Sequence, residues 1–265
     1  MLATQKSGWS PLPGGYQRLL AEFPANESLA VDKALWDWTL PSWVIYIYVV
    51  LKFYQMKDSA EVDSGLYWRL VWARLRHVLG PCTRFEMPNG LRWRQQFWGV
   101  MKSGCYLTLS LNSLAQEAQH VLAWLRCFGG ESIPLLWAMG DDTLVRASLT
   151  DEEKQLYWDA LESTGCLVKK MEYSREFCGF LFNSEDDVRP LYPDKHRFIM
   201  KFVRPETEQD TMYAFELLYA LSKDRWVDCL RPHQQFVLGP AARLWARGLI
   251  KLKVLARDPD WVKLD

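Results

Sequence analysis

The stretch from Ile133 to Val145, Ile-Pro-Leu-Leu-Trp-Ala-Met-Gly-Asp-Asp-Thr-Leu-Val, runs apolar residues into a glycine and two adjacent carboxylates and then turns apolar again. That is the pattern of a β-hairpin between two buried strands. Gly140 and Asp141 suit its tight turn, because glycine reaches positive φ without steric cost and aspartate tolerates it and can bond its own backbone. Asp141 and Asp142 then stand side by side at the tip. Neighbouring carboxylates repel, so burying both at a strand end calls for a divalent cation to neutralise them. The alternative is a solvated Asp-Asp turn. A Gly-Asp-Asp triplet arises by chance in roughly one chain of this length in twenty, so its weight rests on a third carboxylate and a nucleotide pocket elsewhere in the chain.

Composition bounds the answer. The 265 residues are 49% hydrophobic and 14% aromatic, with 14 Trp, which is enough for a substantial core in one large or two small domains and excludes a disordered chain. Lys plus Arg and Asp plus Glu balance at 32 each, so an overall basic excess is lacking and any nucleic-acid site has to be local. The six cysteines (Cys82, Cys105, Cys127, Cys166, Cys178 and Cys229) form no Cys-x-x-Cys pair, and no signal peptide opens the chain. Free thiols in a reducing, cytoplasmic-type compartment are the expectation. The most apolar run, Trp43 to Leu51, is too short for a bilayer and is expected as a core helix or strand. His77, His120, His196 and His233 are scattered without metal-ligand spacing.

Residues 1 to 26 have the glycine and proline content of a loop, with one short helix around Tyr16 to Glu22, and resemble the tail of something that began earlier. Asp32 and Asp37 then flank a strand end and the turn after it. Pro41 to His77 is mostly helical, with Leu66, Trp68, Leu70, Val71, Trp72 and Leu75 as a broad apolar face and Arg69, Arg74 and Arg76 on a solvated one. Asn89-Gly90 between Arg84–Met87 and Leu91–Arg94 is a hairpin signal. Ser103-Gly104 forms a flexible loop before a helix that runs to Phe128. Thr108 and Asn112, one turn apart on that helix, share a face. Thr150-Asp-Glu-Glu153 is a capping box, followed by a buried stripe of Leu156, Tyr157, Ala160 and Leu161 up to Gly165. A strand from Cys166 to Met171 carries Lys169 and Lys170, one facing the acidic hairpin and the other solvent. Glu176 to Phe182 reads as a further strand. Charged loop follows, then helices near Glu208–Lys223 and Ala241–Leu249, so residues 190 to 265 are expected as a mainly helical subdomain. Its basic residues Arg243, Arg247, Lys251, Lys253 and Arg257 suit either duplex RNA or a solvated face.

In chain order the pieces are Asp-x4-Asp, Ser-Gly-x3-Thr-x3-Asn, an apolar strand with Gly-Asp-Asp, a lysine-bearing strand, and Phe177-Cys178-Gly179. This resembles the palm of the RNA-dependent RNA polymerases of positive-strand RNA viruses, motifs A to E in their usual order, over roughly residues 8 to 182. The wording Ala30-Val31-Asp32-Lys33-Ala34-Leu35-Trp36-Asp37-Trp38-Thr39, Lys102-Ser103-Gly104-Cys105-Tyr106, Ala138-Met139-Gly140-Asp141-Asp142 and Glu176-Phe177-Cys178 looks most like the sobemovirus and sobemo-like (solemovirus) group.

The resemblance implies an α+β fold of right-hand polymerase architecture, with an antiparallel, RRM-like palm sheet, partial fingers and a helical thumb. It divides the chain into a fingers or linker remnant (1–27), palm motif A (28–40), a fingers insertion and palm helix (41–98), palm motifs B to E (99–182) and thumb (183–265). The implied activity is template-directed RNA synthesis in viral genome replication, in the host cytoplasm. The implied partners are an RNA template with its primer or product strand, nucleoside triphosphates and other viral replication proteins. Nucleotidyl transfer in this class uses two metal ions about 3.5–4 Å apart. Asp32, Asp141 and Asp142 would hold Mg2+ or Mn2+, and two or three carboxylates suffice because Mg2+ keeps water and phosphate oxygens. Asp37, Ser103, Gly104, Thr108 and Asn112 would surround the incoming ribonucleotide and sense its 2′-hydroxyl. Lys169 or Lys170 would protonate departing pyrophosphate. In this family a basic fingers segment, motif F, precedes motif A, whereas only 31 residues precede Asp32 here and none form a Lys/Arg-rich strand. A truncated polymerase is therefore expected, and the alternative is a palm and thumb fragment that binds RNA or assembles without catalysis.

Overall fold

The structure, a computed structural model, describes residues 4–56, 63–130, 132–223 and 238–251. Cys229, His233, Lys253 and Arg257 lie outside the described residues. In chain order the elements are α1 (Gly15–Glu22), β1 (Ser28–Ala34), α2 (Trp36–Thr39), α3 (Ser42–Met56), α4 (Ser64–Val78), β2 (Arg84–Glu86) and β3 (Arg92–Arg94). Next come α5 (Thr108–Phe128), β4 (Leu136–Met139), β5 (Asp142–Arg146), α6 (Asp151–Glu162), β6 (Leu167–Tyr173), β7 (Glu176–Phe177), β8 (Phe180–Ser184) and β9 (Asp187–Pro190). The last are α7 (Pro193–Met200), a 3-10 turn at Pro205–Thr207, α8 (Glu208–Leu218) and α9 (Pro240–Ala246). The class is α+β with antiparallel sheets. Among the described residues no helix is long and apolar enough to cross a membrane.

The chain forms two compact units, one from the described residues within Met1–Ser7 and Asn26–Tyr173, the other from those within Gly8–Ala25 and Ser174–Asp265. The first is built on a four-stranded sheet of order β4-β5-β1-β6, in which β1 runs antiparallel to both neighbours. Strand β1 earns its central place because Ser28, Leu29, Ala30 and Val31 are small or apolar on both faces and all are buried. Leu29 and Val31, two apart and hence on one face, join Leu111, Leu114 and Ala115 of α5 and Tyr157 and Leu161 of α6 in the core. Each leucine or valine among them, fully buried, contributes about 1.5–3 kcal/mol of transfer free energy. Thr150 caps α6 through the expected reciprocal bonds with Glu153.

The apolar run at Trp43–Leu51 is a helix, with Val44, Ile45, Tyr48 and Val49 of α3 buried. The broad face expected on α4 is narrower. Trp68, Val71, Trp72 and Leu75 pack on the core, but Leu66 and Leu70 are exposed. At 3.6 residues per turn these two lie about 180° and about 140° around the helix from Leu75. Leu156 is likewise exposed on α6, off the side that carries Tyr157 and Leu161.

In the second unit, Tyr16, Leu19 and Phe23 of the glycine- and proline-rich start are buried, so this segment belongs to a folded core. Trp9 packs on Phe177 and Phe182 with ring centroids 5.6 and 6.2 Å away. The strand expected from Glu176 to Phe182 is instead a hairpin. Phe177 pairs with Phe180 across Cys178-Gly179, whose φ values of 50° and 74° are the two positive angles of a type I′ turn. Strand β9 completes a three-stranded sheet, and α7, α8 and α9 give this unit its helical part. The buried Glu216 of α8 accepts bonds from the backbone N–H groups of Leu238 and Gly239, which fixes the start of α9.

Candidate active site

The alternation of β1 decides which side chains reach the open face of the first unit. Leu29, Val31 and Lys33 point toward the helices, and Asp32 between them is exposed on the other side. Strand β5 pairs Val31 with Thr143, and one further step of that register sets Asp32 level with Asp142. Met139 pairs with Asp142, leaving Gly140-Asp141 as a two-residue loop with Gly140 at φ 66°. Two bonds fix this tip. Ser113 Oγ of α5 accepts from the Gly140 N–H at 2.9 Å, and Thr143 Oγ1 donates to the Val31 carbonyl at 2.8 Å.

Asp141 and Asp142 are exposed residues, not buried as the apolar flanks suggested, because the pairing ends at the tip, although protein crowds the Asp142 carboxyl itself. Displacement of water by surrounding protein, then the neighbouring Asp141 and Asp32 carboxylates, push the Asp142 carboxyl up to about 6. A carboxyl whose folded pKa exceeds its unfolded one takes up a proton on folding, so its contribution to stability falls as pH rises from about 4 to about 6. Asp142→Asn is therefore expected to raise the thermal midpoint relative to the unaltered chain at pH 7 and to leave it nearly unchanged at pH 4. Unfolding measured at both pH values in chelator checks this, and equal differences at the two would remove the raised Asp142 carboxyl as the cause.

Strand β6 resolves the two lysines. Its register pairs Asp32 with Lys170 and then Lys33 with Val168, so Lys169 is the extra residue of a β-bulge. Bulges re-aim side chains. Here Lys169 Nζ lies 2.8 Å from Asp32 Oδ2, while Lys170 pairs with Glu172 on its own strand.

After β1 the chain turns at Leu35, in the left-handed region at φ 50°, into α2. This brings Asp37 to Ser103, whose hydroxyl donates to Asp37 Oδ2 at 3.0 Å. The Asp37 carbonyl accepts from the Met101 N–H at 2.7 Å. Gly104 sits in the open loop beside Ser103 with nothing near its Cβ position. Thr108 does not open toward a ligand. Its hydroxyl lies 2.8 and 2.7 Å from the Lys102 and Cys105 carbonyls and closes the turn before α5. Asn112 is buried, and among the described residues its Oδ1 has no hydrogen-bond partner.

Two features escaped the sequence reading. One is Ser113, the residue after Asn112, which holds the Gly-Asp-Asp turn. The other is Lys33, buried beneath the sheet, whose ammonium donates to Gln116 Oε1 and, at 2.6 Å, to Gln119 Oε1 and lies 4.8 Å from the Trp36 ring. Burial lowers its pKa to about 8, against the opposing pull of Cys166 and Asp141. The available signal was a lysine in the alternation Leu29-x-Val31-x-Lys33, matched by glutamines three apart on α5. His120 beside it lies 2.7 Å from the Tyr157 hydroxyl, and burial brings it down to about 4, which makes it a core histidine.

Among the described residues no three His, Cys, Asp or Glu side chains are set to hold a metal ion by themselves. The donor chemistry nevertheless fits a hard divalent cation. Asp32, Asp141 and Asp142 offer oxygen only, and their mutual repulsion is relieved by positive charge. A Mg2+ that keeps water and takes phosphate oxygens needs fewer protein donors than a closed cage. No protein-family model matches the chain, and no curated protein matches it.

Proposed function

We propose that the first unit is the palm of a template-directed RNA polymerase, an RNA-dependent RNA polymerase of the positive-strand viral type, and that the second unit carries the Phe-Cys-Gly hairpin and a helical thumb. The observation that carries this reading is the convergence of three carboxylates at one end of an antiparallel sheet: Asp32 on the central strand, and Asp141 and Asp142 at the tip of the adjoining hairpin. The motif order of the sequence agrees with it. Asp32 and Asp141 would hold Mg2+ or Mn2+, with Asp142 close by, and such an ion would supply positive charge to the attacking and leaving oxygens of nucleotidyl transfer.

The chain's own residues supply the rest. Ser113 and Thr143 keep the hairpin tip in register with β1, which holds the carboxylates in place without reorganisation. Lys169, already on Asp32, holds a proton that the departing pyrophosphate can take. The Asp37–Ser103 pair offers an acceptor and a hydroxyl to a ribose hydroxyl. An RNA template with its primer strand and nucleoside triphosphates are the partners in this reading, in a replication complex of the host cytoplasm alongside other viral replication proteins.

The test is extension of an RNA primer on an RNA template with Mg2+ or Mn2+, beside the Asp141→Ala variant. Incorporation that survives unchanged in the variant overturns the assignment. A second reading, RNA binding without synthesis, draws on the Lys169–Asp32 ion pair, which occupies a carboxylate that catalysis would need. It predicts salt-sensitive RNA binding with no incorporation.

A further inference from the structure

Strand β1 is held least by its neighbours at the residue whose placement matters most. Its pairing with β5 runs from Ser28 to Val31, and its pairing with β6 slips between Asp32 and Lys33. Shortly afterwards the backbone turns left-handed at Leu35. A bulge interrupts the regular bonds between strands, so the ladders give Asp32 a looser seat than the residues before it.

Lys33 supplies a hold from the other face. Strand alternation sends it under the sheet, where its ammonium donates to Gln116 Oε1 and Gln119 Oε1 of α5 and lies 4.8 Å from the ring of Trp36, the residue before Asp37. On α5, Ser113 stands one turn before Gln116 and shares its face. The Ser113 hydroxyl in turn accepts from the Gly140 N–H, in the turn that carries Asp141. One helix face thus fixes both the backbone next to Asp32 and the backbone next to Asp141.

Stability is a poor account of this cluster. Lys33 is 6% exposed on a face otherwise formed by Leu29 and Val31, where an apolar side chain would pack without stripping water from an ammonium. The oxygens of both carboxamides accept from Lys33, and among the described residues their buried nitrogens have no hydrogen-bond partner, which costs stability again. Nor is the cluster a ligand pocket. The space enclosed by Lys33, Gln116, His120, Thr143 and Tyr157 is about 10 Å³, room for one water and nothing larger.

We propose that Lys33 is a positioning residue, clamping β1 to α5 so that Asp32 is held at a set distance from the Asp141 turn that Ser113 of the same helix anchors. The inference rests on the carboxylate site proposed above. Groups behind the ligands of a metal ion govern its affinity, because donors already held in place need no reordering when the ion arrives.

The experiment measures Mn2+ binding to the full chain at pH 7, by loss of the free-ion electron paramagnetic resonance signal, beside thermal midpoints. The unaltered chain is compared with Asp141→Ala, with Lys33→Met, and with a triple variant that joins Lys33→Met to Gln116→Leu and Gln119→Leu and so leaves neither carboxamide without a partner. Mn2+ is expected to bind about tenfold more weakly to both Lys33 variants than to the unaltered chain. The triple variant is expected to melt no lower than the unaltered chain, which separates the effect from unfolding. Direction is decisive, since removing a positive charge near carboxylates would by itself tighten cation binding. Equal or tighter binding by a folded Lys33 variant overturns the proposal. So does failure of both Lys33 variants to fold, which would make the cluster a stability element. If the unaltered chain and Asp141→Ala bind Mn2+ alike, the carboxylate site itself falls and the proposal with it; a difference between those two without a Lys33 effect overturns the proposal alone.

Discussion

Asp32→Ala is expected, on the polymerase reading proposed above, to lower template-directed nucleotide incorporation about a thousandfold, equivalent to about 4 kcal/mol of transition-state stabilisation, with Asp141→Ala close to it and Asp142→Ala costing less. The order follows from geometry and charge. Asp32 comes from the central strand and Asp141 from the turn itself, so each brings a carboxylate that nothing else at that point supplies. Asp142 begins β5, where the surrounding protein and then the neighbouring Asp141 and Asp32 carboxylates favour its protonated form. Single-turnover rates at saturating Mg2+ measure the effect, with thermal midpoints to show that each variant folds. Lys169→Met separates two roles at the same locus. Its pair with Asp32 is well exposed on both sides, and as a structural bridge it is worth only about 0–1 kcal/mol. As a proton donor it is worth about a hundredfold or more in rate, with the alkaline limb of the pH profile altered. A fall of less than about fivefold with an unchanged pH profile would reduce Lys169 to a partner that balances the charge on Asp32.

The elements read from the sequence were those whose signals are local. The Gly-Asp-Asp hairpin, the Asn89-Gly90 hairpin and the Thr150 capping box each announce themselves within a few residues, because turn and cap chemistry depends on φ and on bonds to neighbouring backbone. The Phe177–Phe180 hairpin was hidden because a cysteine at φ 50° occupies a position that usually calls for glycine or asparagine. That Lys169 and not Lys170 pairs with Asp32 follows from the bulge in β6, which is a property of the pairing with β1 and not of β6 alone. Lys33 stands in the apolar alternation of β1, but what satisfies it there was not local, because its partners, Gln116 and Gln119, stand 83 and 86 positions away. Thr108 shares a helical face with Asn112 as its spacing requires, yet its hydroxyl turns back to the Lys102 and Cys105 carbonyls of the loop before α5, a contact that helical spacing does not encode. Periodicity states which residues share a face. It does not state what covers that face, which is why Leu66, Leu70 and Trp93 lie open.

Gly99→Ala is expected to destabilise the first unit by about 3 kcal/mol and to loosen the Asp37–Ser103 pair with it. Gly99 lies at φ 128°, a region that side-chain-bearing residues rarely adopt, and a Cβ there would fall 2.6 Å from the Leu40 carbonyl oxygen. That oxygen cannot yield easily, because Leu40 joins α2 to Pro41 and the start of α3. Nor can Gly99 retreat. Its N–H donates to the Leu79 carbonyl at 2.9 Å, Val100 beside it is itself left-handed at φ 55°, and the Met101 N–H holds the Asp37 carbonyl at 2.7 Å. Any shift that accommodates the methyl group therefore moves Met101 or α2, and through them the backbone that carries Asp37. Gly104→Ala is the matched control: it alters the same loop four residues before Thr108, but its Cβ would meet nothing within 4 Å, and a change within about 0.5 kcal/mol is expected. Denaturant midpoints of the two variants, read beside ribonucleotide-over-deoxyribonucleotide selectivity in primer extension, distinguish the cases. Comparable destabilisation by both would mean that the loop tolerates no substitution for reasons other than the Leu40 contact. Destabilisation by Gly99→Ala alone, with selectivity reduced, would tie the fit of one glycine against one carbonyl to the placement of Asp37.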